Sequence, residues 1–552
     1  MSALLSSFPY SCLLVPLTVS HFRRMDPLAI YAITAGGIFA VLFLFRTLSL
    51  IAGCRHLFSL IVSQHLTLPF IIRRHRFLGP WTRAGVVSHL SYAAINIFLV
   101  FFRNKSLTSA GRRAGELALV NLIFPLSTIH LAYLADLLGI KWNSCRKIHR
   151  ATGWMAVALL SFHIIMAVQG QDFTFPLREQ HNLFTMLAAI SLGALALHSI
   201  PWFRQWSYEI FLRGHQILAG LFVYGTWQHL PARSTSPKIY LFVAVGTFAL
   251  TLLLELITLL YHNGLFAGRG TPRAIVSFSA IESKEGSTVN AVHIRVLLPR
   301  PVRVEAGQYI NLWMPSVSLC SWMQTHPFTV TSWSKGKQDT MELLVKPRSG
   351  FTADLLRYVS AAKESSVSFL ALFTGPHGVS EEASDYESIL VLASGSGIAA
   401  AIPYLKKMIY GYNTCTSQVR RLHLVWQVES VDKMTPALSL INNLLKDDIM
   451  DDGYILHISI YVSDGIEQNG LPFGRHKRVY IYQEVPDYQS IISLEASGDQ
   501  VERLPNTWDE QGRTLVMVSA TDEFRDHIRK VVRGCLHQGV KLSELEYQPS
   551  TD

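Results

Sequence analysis

Four histidines carry the most legible chemistry in the chain. His149 and His163 lie fourteen residues apart in HRATGWMAVALLSFH, and His215 and His229 repeat the interval in HQILAGLFVYGTWQH. Over fourteen helical residues the chain advances about 21 Å and rotates about 1400°, some 40° short of four turns. Both imidazoles of each stretch therefore fall on roughly one helix face. Two such helices side by side offer two stacked bis-histidine sites, the geometry that holds haem iron within a helical bundle. A lone histidine in an apolar helix is more often a packing or helix-end residue, and His130 and His198, without spaced partners, read that way. Two equal intervals at matched depth point to ligation instead, since ionisable groups inside membrane spans are rare and usually functional.

The elements that must position these histidines are membrane helices. Of 552 residues, 49% are hydrophobic and only 16% charged, against roughly 25% charged in soluble domains. Apolar runs near 27–45, 84–102, 116–138, 149–169, 183–200, 208–230 and 239–262 each approach the ~20 residues of a bilayer helix. They stop after Tyr261. From about 270 onward, short β-rich stretches alternate with amphipathic helices, enough chain for two further domains. The loop from Arg46 to Arg83 holds Arg46, Arg55, Arg73, Arg74, Arg76 and Arg83 without an acidic residue, which assigns it to the cytosol. Counting seven spans from there puts everything after 262 inside, His149 and His215 near the inner face, and His163 and His229 near the outer. One loop dissents: Arg103, Lys105, Arg112 and Arg113 lie outside, beside the sequon Asn104-Lys105-Ser106.

Residues 1–26 read as a signal sequence or signal anchor, or as an extension ahead of a start at Met25. Cys12, Cys54, Cys145, Cys320, Cys415 and Cys535 show no metal-ligand spacing and no disulfide framework. A net charge of +10 fits anionic lipid and dinucleotide rather than nucleic acid.

Three motifs follow in the C-terminal half. Strand-like QYINLWMP leads to His326-Pro327-Phe328-Thr329 within HPFTVTS. In VKPRSGFTADLLRYV, Ser349, Gly350 and Thr352 open a helix whose backbone amides suit a diphosphate, with Lys346 and Arg348 beside them. In SILVLASGSGIAAAIPYLKKM, an apolar strand runs into Gly395, Gly397 and Ala400, a GxGxxA turn opening a helix, which is a pyrophosphate-binding pattern.

With these residues assembled, the chain resembles the fungal ferric reductases, of the superfamily that includes the NADPH oxidases, over about residues 84 to 548. The resemblance implies a multi-span α-helical membrane domain of six to seven helices holding two haems, followed by a ferredoxin-reductase-like module: an antiparallel β-barrel for FAD and an α/β nucleotide-binding domain. Expected boundaries are 27–265, 270–382 and 385–552. It further implies that His326 approaches the FAD diphosphate, Phe328 packs on the flavin and Thr329 bonds the ring near its N5. RAGELALVNLIFPLS (113–127) is similar to the span before the first haem helix, with Arg113 and Gly115 shaping the outer haem edge. Gly375-Pro376-His377-Gly378 is similar to the family's GPYG segment. There are departures. Glu429 stands where an arginine often meets the 2′-phosphate, and Glu484-Val485-Pro486 replaces Gly-Arg-Pro. Ser519-Ala520-Thr521 replaces the Cys-Gly-Pro that meets the nicotinamide, and Pro549 replaces a terminal aromatic, leaving Tyr547 to cover the flavin. NADH therefore stands beside NADPH as donor.

The expected activity is a ferric-chelate reductase, passing electrons from NADPH through FAD and two b-type haems to ferric or cupric chelates. Lipid surrounds it, a metal permease is its functional partner, and the expected address is the plasma membrane with the C-terminal domains cytosolic, or a vacuolar or endosomal membrane. The alternatives are an oxidase delivering electrons to oxygen as superoxide and a haem membrane protein without catalysis.

Overall fold

The computed structural model describes residues 58–75, 79–169, 176, 178–202, 208–230, 235–264, 270–283, 286–318, 321–348, 350–362, 366–449, 454–464, 473, 478–501 and 512–549. The expected span at 27–45 and the N-terminal segment lie outside them. A short hairpin, β1 (Phe70–Ile72) and β2 (Trp81–Thr82), precedes the helices α1 (Arg83–Phe101), α2 (Leu107–Leu126), α3 (Leu131–Leu138), α4 (Trp142–Gln169), α5 (Gln180–His198), α6 (Tyr208–His229) and α7 (Thr235–His262). Among the described residues, α1, α4, α5 and α7 are long and apolar enough to cross a membrane, and α2 with α3 makes a fifth span if counted together. The chain is a membrane protein. Helix α6 is less apolar because Glu209, Arg213, Gln216 and Gln228 share it with two histidines.

The run at 116–138 is not one straight helix. It breaks after Leu126, and α3 leaves at 94° to α2. Ser127 caps α2, and its carbonyl, freed by the break, accepts from Thr251 Oγ1 at 2.6 Å, so the exposed backbone group is paired within the bundle as an apolar medium requires. Earlier in the bundle, Asn121 donates to Asn96 at 2.8 Å and accepts from Tyr92, a satisfied polar triad joining α1 and α2. Arg113, one of the dissenting charges, donates to the carbonyls of Phe102 (2.5 Å) and Leu99 (3.3 Å). It thereby caps the C-terminal end of α1, where a cation is favoured.

Seven antiparallel strands follow. Sheet order is β7-β4-β3-β8 and β6-β5-β9, for β3 (Arg273–Ser283), β4 (Gly286–Val302), β5 (Tyr309–Trp313), β6 (His326–Thr329), β7 (Gln338–Val345), β8 (Ser366–Leu370) and β9 (Leu372–His377). A bridge between Val330 and Leu343 links the two sheets. Alternate residues of β5 and β7 are buried, and their apolar faces close on Phe351, Leu355 and Val359 of α8 (Phe351–Ala361).

The third domain is a parallel sheet of order β13-β12-β11-β10-β14-β15. Its strands are β10 (Ser388–Ser394), β11 (Arg421–Ser430), β12 (Leu456–Asp464), β13 (Val479–Tyr482), β14 (Thr514–Ser519) and β15 (Val540–Glu544), and its helices are α9 (Ile398–Asn413), α10 (Val431–Asp447), α11 (Tyr488–Ser497) and α12 (Asp522–Cys535). Every residue of β10 is buried, as befits the centre of a sheet covered on both faces. The chain steps outward from β10 one way to β11 and the other way to β14, so the switch point falls at the C-terminal end of β10.

Side chains join the module to the helical domain. Asp136, on α3, accepts from His377 Nδ1 at 2.5 Å and from the Gly378 amide at 2.8 Å. Asn263, just past α7, makes both backbone bonds of Phe373, donating at 2.8 Å and accepting at 3.0 Å. Lys141 reaches Glu381 at 3.0 Å and the Glu544 carbonyl at 3.2 Å. Arg74 pairs with Asp522 at 2.6 Å and Asp526 at 3.2 Å, which puts part of the basic Arg46–Arg83 loop against the nucleotide domain.

Candidate functional site

Helices α4 and α6 carry the four spaced histidines, and each packs on a different neighbour: α4 against α2, α6 against α5. They hardly touch one another, yet the rings of His149 and His215 face each other across the gap with centroids 6.2 Å apart. Each of these two imidazoles has Nδ1 buried without a hydrogen-bond partner among the described residues. Gly153, one turn along from His149 on the same face, has open space where a Cβ would stand. A ring separation that admits one metal ion and a glycine opening beside the rings fit an iron porphyrin between the two imidazoles.

At the other end, His163 Nδ1 bonds the Gly111 carbonyl at 2.9 Å and His229 Nδ1 bonds Thr185 Oγ1 at 2.7 Å. The exposed ring of His181 stacks on His229 at 5.2 Å. Gly115 matters sterically: a Cβ there would stand 3.0 Å from His163 Nδ1 and 3.2 Å from two ring carbons. Gly111, one turn away, lets α4 approach equally closely, since its Cβ would meet Met166 Cβ at 2.5 Å. The unspaced histidines have protein partners. His198 Nε2 bonds the Phe211 carbonyl at 3.0 Å, and His130 Nδ1 lies 2.8 Å from Glu255.

On the barrel, β6 alternates. His326 and Phe328 share one face, and Pro327 and Thr329 the other, with Thr329 buried opposite Tyr309. The His326 ring stacks on Phe351 at 4.4 Å and 14°, and Phe328 lies 6.4 Å from the same ring. Phe351 is the first residue of α8, so the HPFT strand and the Gly350 helix start converge. Gly350 adopts φ 73° ahead of the helix. Thr352 Oγ1 accepts from the Arg348 amide at 2.8 Å, closing the turn before the helix. Ser349 lies outside the described residues.

The nucleotide turn sits at the switch point. Gly395 has φ 49° and an open Cβ position, and the indole of Trp426 donates to its carbonyl at 2.9 Å. Gly397 also has a packing role: a Cβ there would fall 2.0 Å from the Ser519 carbonyl oxygen, so this glycine lets β14 pass close to the turn. Ala400 is buried inside α9, where a small side chain allows close helix–strand packing. Ser519 is buried, and its hydroxyl donates to the Tyr547 carbonyl at 2.9 Å. The Tyr547 hydroxyl in turn meets Ser396 Oγ at 3.0 Å, so the C-terminal tail is tied to the nucleotide turn. Glu429 projects, 77% exposed, near the end of β11, where it pairs with Lys433.

The opposite end of this sheet holds a buried charge network. Glu495 accepts from Arg421 at 2.8 Å and His423 at 2.8 Å, and from Ser388 at 3.0 Å. Burial alone would raise its pKa; the bonds and charges of His423 and Arg421 outweigh this and hold it at about 2. The buried charge network thus closes one end of the strands, and the glycine turn lies at the other.

Asp136, Asn263, Thr185 and the Trp426 indole were not marked by motif or period; each is a single polar residue whose partner lies elsewhere in the chain.

Three family models match in succession: ferric reductase like transmembrane component over residues 114–226, FAD-binding domain over 279–395, and ferric reductase NAD binding domain over 386–528. The chain is 26% identical to ferric reductase transmembrane component 3 of Saccharomyces cerevisiae over 63% of its own length and 50% of that protein. It is 25% identical to ferric/cupric reductase transmembrane component 2 of the same yeast, over 69% and 55%. A probable metalloreductase of Meyerozyma guilliermondii is 22% identical, over 76% and 82%. The chain thus spans about half the length of the two Saccharomyces relatives.

Proposed function

The chain belongs to the fungal ferric reductase family, and on that premise we propose that it carries electrons across a membrane from a nicotinamide dinucleotide to ferric or cupric chelates on the far side. The observation that carries this reading is the facing pair His149 and His215, with rings 6.2 Å apart, in the helical domain onto which a reductase module is bonded. When bound, flavin would take the hydride as an electron pair and two b-type haems would relay single electrons, matching a two-electron donor to a one-electron acceptor.

The residues divide this work. The Gly395 turn and the N-terminus of α9 receive the dinucleotide pyrophosphate. His326, Phe328 and Thr329, with Ser349, Gly350 and Thr352, would hold the flavin. His149 and His215 would hold the inner haem, and His163 and His229 the outer. Ser519 anchors the tail through Tyr547, and that tail covers the place where flavin and nicotinamide would meet. Glu429 puts a carboxylate near the ribose end of the nucleotide crevice, which favours an unphosphorylated 2′ position and makes NADH a donor alongside NADPH. Arg74, bonded to α12, supports a cytosolic address for the basic loop and the reductase domains together. A plasma-membrane location and handover of the reduced metal to a permease complete the reading.

The test is the fate of the electrons. Cells expressing the chain should reduce an extracellular ferric chelate anaerobically and in the presence of superoxide dismutase, because direct transfer needs no oxygen. Reduction that requires oxygen and disappears with the dismutase would make the chain an oxidase instead. Absence of any chelate reduction or superoxide, with haem bound, would leave a non-catalytic haem protein.

A further inference from the structure

The four histidines are not held alike. His163 Nδ1 lies 2.9 Å from the Gly111 carbonyl. A carbonyl only accepts, so Nδ1 bears the proton and Nε2 keeps its lone pair. His229 Nδ1 lies 2.7 Å from Thr185 Oγ1, where either atom could donate in principle. With the hydroxyl's one proton on the His181 carbonyl at 2.9 Å, Thr185 Oγ1 accepts from His229 Nδ1, giving the same tautomer. Both outer imidazoles are thus set to offer Nε2 to a metal while donating from Nδ1. His149 and His215 have no such acceptor: Nδ1 of each is buried and unbonded among the described residues.

A ligating imidazole that donates through its second nitrogen is a stronger base toward the metal. Stronger donation stabilises the ferric state over the ferrous. Resting on the di-haem reading above, we propose that the outer site, His163 with His229, is built to hold the lower-potential iron, and that Thr185 is the positioning residue that lowers it. The inner pair, without these bonds, holds the higher-potential iron. The more strongly reducing centre then stands at the end of the path, beside exposed His181, where an external oxidised metal chelate accepts one electron and becomes reduced by one.

The test is a spectroscopic redox titration of the purified full chain, following the reduced haem absorbance against applied potential. The wild type should titrate in two one-electron steps. Thr185→Val removes the acceptor and should raise the lower midpoint while leaving the higher one in place; Thr185→Ser keeps the oxygen and should leave both. Should the valine variant shed a haem, Thr185→Ala removes the same oxygen with less bulk and must give the same upward shift. An unmoved lower midpoint in a variant that retains both haems, or a shift confined to the higher one, overturns the proposal and leaves the di-haem reading intact. A wild-type chain without two bis-histidine haems would instead overturn the reading on which it rests.

Discussion

Replacing Gly115 with alanine is the most informative single change to the helical domain. The new Cβ would stand 3.0 Å from His163 Nδ1 and 3.2 Å from two carbons of the ring. Since an apolar contact settles at about 3.5 Å or more, the ring must retreat by roughly half an ångström. It cannot do so freely, because Nδ1 is tethered at 2.9 Å to the Gly111 carbonyl on the same helix face. Either the tether lengthens or α4 moves away from α2, and overpacking of this kind costs about 2 kcal/mol. That cost corresponds to about a thirtyfold change in an equilibrium constant, inside the 10–100-fold range expected when the support of a metal-bound histidine is disturbed. The assay is the rate at which haem passes from the purified protein to excess apomyoglobin. One of two haems should leave about thirty times faster than in the wild type, with FAD content unchanged, if overpacking costs as much as argued. Gly246→Ala, where nothing lies within 4 Å of the new carbon, should leave both rates alone. Unchanged haem loss in Gly115→Ala, or equal loss in the two variants, would refute the steric argument.

Other outcomes follow from the same geometry. Glu495, held at about 2 against an ordinary 4.5, contributes stability that is full above pH 4.5 and drains away as pH falls toward 2. That amounts to about 3 kcal/mol, and acid unfolding of the nucleotide domain followed by tryptophan fluorescence should move to higher pH in Glu495→Gln. Gly397→Ala should lower the thermal midpoint of that domain even without nucleotide, because its Cβ meets the Ser519 carbonyl at 2.0 Å; a defect seen only in nucleotide affinity would count against this packing role. Asp136→Asn should slow haem reduction by pre-reduced flavin while hydride transfer to flavin keeps its rate, and equal slowing of both steps would count against a positioning role. Glu429→Arg should raise the ratio of NADPH to NADH efficiency about tenfold or more, the scale of one charged hydrogen bond.

Periodicity made the helical domain and its histidine pairs readable, because fourteen residues and 3.6 per turn leave little choice of face. The strand–glycine–helix text around Gly395 was equally plain. The bend after Leu126 was not, since the apolar residues run straight across it; the polar cluster at Ser127, Thr128 and His130 was the available signal. Gly397 shows another limit. A motif says that a side chain is forbidden but not what it would strike, and here the obstacle is a carbonyl from Ser519, far along the chain. Asp136 and Asn263 were hidden for the same reason: their partners lie 241 and 110 residues away.

The bonds of Asn263 to Phe373 and of Asp136 to His377 also set the kinetic order of the whole molecule. Flavin side and histidine side are neighbours by construction, on one chain and through side chains that grip backbone, so the donor never has to find its acceptor by diffusion. Turnover per molecule should then be indifferent to dilution and nearly so to ionic strength. On the proposed function, reductase and relay would form a single current path whose resistance is fixed when the protein folds.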